Sequence, residues 1–176
     1  MGIRPDGILR RGPKHDWLVG CLLGTHEIWL PFSPLLFIAD CLMKTELTNS
    51  FDKVFLIIEF DAANQWIYNN WLGVLPTGKV IEGCQATIDF LKHTPCPHML
   101  NDNRQVVGSW NSANDWIAAN WVPQVLTLGL RRFAHIVSPG IFGQASAEEM
   151  VTRVGTQLEI RLFKDVDLAQ AWLRAK

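Results

Sequence analysis

The chain has 176 residues, 48% of them hydrophobic, and a formal net charge of -1. That suits one globular domain with an appendage, and the near-neutral balance, with a pI near 6.5, excludes the basic stripe of a nucleic-acid binder. Cys21, Cys41, Cys84 and Cys96 are scattered without a CxxC pair, so they read as reduced thiols of a cytoplasmic protein rather than a disulfide framework.

Residues 1–43 come first and differ in texture. Arg4, Arg10, Arg11 and Lys14 precede two apolar runs, "WLVGCLLG" and "IWLPFSPLLFIADCLM". The first is short for a signal-peptide core. Pro31, Pro34 and Asp40 break the second before the roughly 20 apolar residues that span a bilayer, so no stable membrane insertion is expected. "LVGC" lacks the preceding apolar stretch of a lipoprotein box, and "MGIRPD" lacks the Ser or Thr of a myristoylation signal. We read residues 1–43 as an N-terminal extension, with Met43 as the native start and 44–176 as the domain. The alternative is a true arm that packs Trp17, Trp29 and Phe32. A chain beginning at Met43 retains every element below.

"KVFLIIEFD" (53–61) is β-branched and aromatic, hence a strand. Asp61 to Asn64 turn it into a second strand, "QWIYNNWLG" (65–73). From Thr77, a predicted cap, Val80, Cys84, Ile88 and Leu91 recur on one helical face. Pro95 and Pro97 end that helix before a third strand, "HMLND". Residues 112–129 predict a helix with Ser112 and Asp115 as a capping box and Ala113, Ile117, Trp121, Val125 and Leu128 inward. It should kink at Pro123 and close at Gly129. "RRFAHIVSP" is the fourth strand. "SAEEMVTRV" opens a helix with Ser146 and Glu149 as its box. "LEIRLF" (158–163) is the fifth strand, and "VDLAQAWLRA" is a last helix with Leu168, Ala171 and Trp172 inward. Asp165 and Asp167 sit where its dipole favours negative charge. The order β-β-α-β-α-β-α-β-α predicts an α/β fold: one mixed sheet of about five strands, an antiparallel edge hairpin, and helices packed against it.

Two stretches look alike, "NQWIYNNW" from Asn64 and "NDWIAANW" from Asn114. One falls in a strand and the other in a helix, and their flanks disagree, so they are not an internal repeat. In the strand, Trp66 and Trp71 must face opposite sides. One of them needs a cover from a helix, the arm or a second subunit, which makes a homodimer through the hairpin face one option.

The element order and the stretches "WLG" (71–73), "NDNRQV" (101–106), "DWIAANWVPQVLTLGLRRFAHIVS" (115–138), "IFGQASAEEM" (141–150) and "EIRLFKDVDLAQAWL" (159–173) resemble the small bacterial STAS/Sec14-like domains. Those share the fold of the sporulation anti-anti-sigma factor. The resemblance covers roughly residues 50–175. It implies that fold, with a regulatory role on its STAS side and a carrier of a small apolar or lipid-like ligand on its Sec14-like side. Anti-anti-sigma factors carry an Asp-Ser-Ser-Gly-like phosphoacceptor after the third strand; here the loop reads "NDNRQVVGSWNSANDW", without an Asp-Ser pair, which puts a phosphoswitch in doubt.

The candidate site is the loop face at the strand carboxyl ends, where open α/β sheets gather ligands. Asp102, Asn103 and Arg104 follow the third strand, with Ser109 beyond. "SPGIFGQAS" (138–146) follows the fourth, offering Phe142 and Gln144 before a helix N-terminus, a natural anion site, though without a Gly-rich phosphate motif. The bland reading is that Asp102 and Arg104 merely brace the loop. His93, Cys96 and His98 in "HTPCPH" lack the fourth ligand of a structural zinc site. His135 in an apolar strand reads as a satisfied core residue, and no Ser-His-Asp order, HExxH or P-loop occurs. No catalytic residue, cofactor or metal is therefore assigned. The reading is a regulatory or protein-interaction module, with a carrier of a small apolar or lipid-like ligand as the alternative. A large apolar pocket would favour the carrier; a filled core would favour the module.

Overall fold

The structure, a computed structural model, describes residues 44–175; the readings made for residues 1–43, the Met43 start among them, lie outside the described residues. One sheet of six strands runs in sequence order: β1 (Lys44–Thr48), β2 (Val54–Asp61), β3 (Trp66–Val74), β4 (His98–Val107), β5 (Arg132–Ile136) and β6 (Glu159–Phe163). β1, β2 and β3 pair antiparallel, and β3 through β6 pair parallel. The parallel connections carry α1 (Thr77–His93), α2 (residues 111–127) and α3 (Ile141–Val154), and α4 (Val166–Arg174) follows β6.

Each parallel strand is added on the same side of the last, so right-handed crossovers put α1, α2 and α3 on one face. Their apolar stripes meet Ile67, Met99 and Phe133 in the main core. α4 turns onto the other face, where Ala169 and Leu173 pack on Trp66, Leu100, Ala134 and Ile136. Trp66 and Trp71 do face opposite sides, and α4 is the cover that Trp66 needs. Full burial of side chains such as Leu100 and Leu173 contributes about 1.5–3 kcal/mol each, so this small second cluster is enough to hold a nine-residue helix.

The mixed α/β sheet is as expected, with one strand more. β1 was not predicted because "KTELT" is an exposed edge strand without alternation; its pairing with β2, Lys44 opposite Glu59 through Thr48 opposite Val54, is a backbone matter. The expected turn at Asp61 is present, its Oδ1 accepting from the amides of Ala63 and Asn64. Ala113, Ile117, Trp121 and Val125 are buried as expected, while Leu128 is only half-buried. A spacing of four advances 40° per step on a regular helix. α2 absorbs that drift by opening as a 3-10 turn (Asn111–Ala113) and widening into a π turn (Ile117–Trp121), so the irregularity falls just before Pro123.

The three predicted caps are not used. Pro76, not Thr77, precedes α1 without a side-chain cap. Ser112 lies inside the 3-10 turn. Ser146 sits within α3, which begins after Gly140; its hydroxyl donates to Phe142 O, and the Trp110 amide donates to it. Helix α4 also docks differently. Ala169 and Leu173 face in, Leu168 and Ala171 are exposed, and Trp172 is half-buried. Both stripes are apolar enough, and Ala169 lets the helix approach Ala134 more closely than Leu168 could. Trp172 instead lies against Phe163 at 5.7 Å, with the Arg132 and Arg161 guanidinium groups over its ring.

Candidate functional site

β4 runs on to Val107, so Asp102, Asn103 and Arg104 are strand residues rather than a loop. Asn70 pairs with Asp102 but Leu72 pairs with Gln105, which leaves one extra residue on β4. This bulge resets the alternation: Met99, Asn101 and Asn103 face the main core, and so does Val106. Asp102 points to the opposite face and is buried. It accepts from the Arg104 amide at 3.0 Å, from Arg104 Nε at 3.0 Å and Nη2 at 2.7 Å, and from the Tyr68 hydroxyl at 2.9 Å. Burial by itself would raise the Asp102 carboxyl; the bonds from Arg104 and Tyr68 outweigh it and hold the group below the usual carboxylate range. Burial and the adjacent Asp102 charge push the Tyr68 hydroxyl up to about 12, so it stays a donor. Asp102 therefore aims a half-exposed Arg104, whose Nη1 is not used in the pair.

Arg104 lines a surface cleft of about 410 Å³ with Val137, Ser138, Pro139, Gln144 and Lys164. That volume falls within the range of small-ligand clefts. The cleft lies where the carboxyl ends of β5 and β6 meet the first turn of α3. Gly140 precedes that helix, with no side-chain cap and no acidic residue in the first turn. Ser138 is 3% exposed, and its Oγ has no hydrogen-bond partner among the described residues. A Cβ on Gly143 would fall 1.7 Å from that oxygen. Gly143 is therefore a helix residue without a side chain because Ser138 occupies the space.

The expected site residues thus separate. Arg104 and Gln144 share the cleft, and Phe142, 63% exposed, stands on the same helix turn beside Ile141, 76% exposed. Asp102 supports from beneath. Asn103 points inward. Ser109 bonds Asn111 and Ser146 and ties the β4–α2 loop to α3. Sequence reading missed Ser138, Lys164 and Tyr68. Ser138 and Gly143, five apart across a Pro-Gly, were the available signal for the first.

A second polar layer lies inside the main core. Trp71 Nε1 donates to Asn101 Oδ1 at 2.8 Å, which leaves Asn101 Nδ2 to reach Asn103 Oδ1 at 2.9 Å and His135 Nδ1 at 3.1 Å. His135 Nδ1 is thereby the acceptor. Burial pulls its pKa down to about 4, so the ring is neutral. Beside it is a cavity of about 40 Å³, bordered by Asn69, Trp110 and Trp121. Asn69 Oδ1, Trp110 Nε1 and Trp121 Nε1 have no partner among the described residues. Such a space, polar and above the minimum of about 15 Å³ for one water, fits water. Asn101 and Asn103 at period two in a strand with apolar Met99 were the sequence trace of this layer.

His93, Cys96 and His98 do not converge. His93 Nδ1 meets Asp89 O, and Cys96 Sγ meets the carbonyls of Gln65 and His98. Burial raises the Cys84 thiol to about 12, which makes it inert as a nucleophile. Among the described residues no helix is long and apolar enough to cross a membrane. No family model matches the chain, and no curated protein matches it.

Proposed function

We propose that this domain is a non-enzymatic regulatory or protein-interaction module of STAS-like type, acting through the face where β5 and β6 end and α3 begins. The observation that carries the reading is a cleft shared by Arg104, braced by Asp102, and Gln144 of the first turn of α3, the turn that also exposes two apolar side chains, Ile141 and Phe142. A charged anchor beside apolar contacts is the composition of a recognition patch. The carrier reading has less support. The internal cavity of about 40 Å³ is far below the roughly 150 Å³ that admits benzene. The titratable groups that lie buried serve other groups of the fold: Asp102 holds Arg104 and Tyr68, and His135 is a neutral acceptor. The STAS side of the resemblance supports the module, while its Sec14-like side is what suggests the carrier.

Two measurements test the proposal. Native mass spectrometry of the purified chain should show no retained apolar small molecule. A photo-crosslinking residue at position 142 should yield a discrete protein adduct in cells, and one at exposed Leu168 on α4 should not. A co-purifying lipid-like mass, or equal adducts at both positions, would reject the module.

A further inference from the structure

We propose that the cleft binds a phosphate monoester, carried on a seryl or threonyl side chain of the partner segment. This rests on the interaction-module reading and supplies the chemistry that the module recognises.

Three elements converge on the cleft. The first is the N-terminus of α3, a 14-residue helix. The amides of Ile141, Phe142 and Gly143 have no intrahelical acceptor there, and the helix dipole favours negative charge. Natural helices usually satisfy such amides with a side-chain cap or a first-turn acid, and α3 has neither. The second is Ser138, two residues before Gly140. Its hydroxyl is buried at the cleft wall beside Gly143 and lacks a partner among the described residues. A buried hydroxyl left unpaired is costly, and a ligand oxygen at the helix end, reached by rotation of χ1, removes that cost. The third is a pair of cations, both lining the cleft. Arg104 comes from β4 with Nη1 unused in its pair with Asp102, and Lys164, just past β6, belongs to none of the ion pairs among the described residues.

The ligand chemistry follows from the donors. A phosphate monoester carries about -1.5 to -2 charge at pH 7 and three acceptor oxygens. Amides, hydroxyl, ammonium and guanidinium are all donors. A carboxylate is singly charged and offers two oxygens, too few to answer two cations, a hydroxyl and the helix amides together. Gln144 Nε2 donates to Glu148 Oε1, which turns that carboxylate toward the amide. Ile141 and Phe142 are exposed on the helix turn that brings Gln144 to the cleft, and apolar neighbours of a phosphorylated residue would pack on them.

The test is an amide-resolved NMR titration of the full chain at constant ionic strength. The probes are inorganic phosphate, an acetyl-Leu-phosphoSer-Leu-amide peptide, and the same peptide unphosphorylated. Both phosphate probes should move the amides of residues 141–144 and of Lys164, with the phosphopeptide binding about tenfold more tightly than phosphate and the plain peptide not binding. Lys164→Gln, at an exposed position, and Ser138→Ala should each weaken the phosphopeptide about tenfold, the loss of one charge-assisted bond. Lys53→Gln, in the β1–β2 turn, should change nothing. Absence of shifts at millimolar phosphate, or equal losses for Lys53→Gln and Lys164→Gln, would overturn the site. Equal affinity for phosphate and phosphopeptide would overturn the assignment to a partner side chain. A position-142 adduct that survives phosphatase treatment of the cells would sink the phosphate claim and leave the module standing. Phosphopeptide binding with no adduct would do the reverse.

Discussion

Gly83 tests the packing that places the sheet beneath α1. It lies inside that helix, yet a Cβ there would sit 2.3 Å from Trp71 Cη2 and 2.7 Å from Leu56 Cδ2. Trp71 cannot step aside freely, because its Nε1 is held by Asn101 Oδ1 at 2.8 Å. On propensity alone Gly83→Ala would stabilise by about 1 kcal/mol. Overpacking a filled core costs about 1–3 kcal/mol, and a shift of more than an ångström puts this site at the upper end. The net expectation is a loss of about 2 kcal/mol, or roughly 5–8 °C in Tm for a domain of this size. Trp71→Phe removes the outer indole ring and strands the Asn101 acceptor, costing about 3 kcal/mol. In the double variant the new methyl has room, so the pair should lose only about 2 kcal/mol, a coupling of about 3 kcal/mol. Gly78→Ala is the control on the same helix, with nothing within 4 Å of its Cβ, and should be neutral or stabilising. Urea denaturation followed by tryptophan fluorescence reads all four. A stabilised Gly83→Ala, or coupling under about 0.5 kcal/mol, would refute the close approach of α1 to Trp71.

Trp121→Ala empties a buried ring packed edge-on to Phe133 at 5.4 Å and should cost about 3–5 kcal/mol; a loss under 1 kcal/mol in the same assay would contradict the inward stripe of α2. His135 falls from an ordinary 6.5 to about 4 on folding, so the unfolded chain binds the extra proton. Its contribution is complete above pH 6.5 and is lost as pH falls toward 4, about 3 kcal/mol in all. His135→Asn should flatten that part of the stability profile, and an unchanged slope would reject the neutral ring. Arg104→Ala removes the guanidinium and leaves Asp102 with the Tyr68 hydroxyl and the backbone amide of residue 104, and should cost about 1–2 kcal/mol, discounted for the half-exposed guanidinium. NMR titration should then find the Asp102 carboxyl raised; an unmoved carboxyl would mean that Arg104 does not hold it.

Local patterning determined most of the architecture. The aromatic and β-branched run ending at Asp61, the apolar face from Val80 to Leu91, and the alternation of strands with helices each specify an element without reference to the rest. Together they imply parallel pairing and the handedness of the crossovers. The four-residue stripe of α2 was also legible, as was the opposition of Trp66 and Trp71, because side-chain periodicity is a property of the backbone. Tertiary structure decided what depends on a neighbour. β1 exists because β2 offers it hydrogen bonds, and α4 buries Ala169 and Leu173 rather than Leu168 and Trp172, with the small Ala169 in the cluster that holds Ala134. The site was half legible. Arg104, Phe142 and Gln144 stand out as charged, aromatic and amide residues near strand ends, but Gly143 reads as a loop glycine until Ser138 is seen to fill the space of its side chain. A side chain at position 143 would collide with Ser138, and residues five apart in sequence carry no record of which atom will occupy which volume.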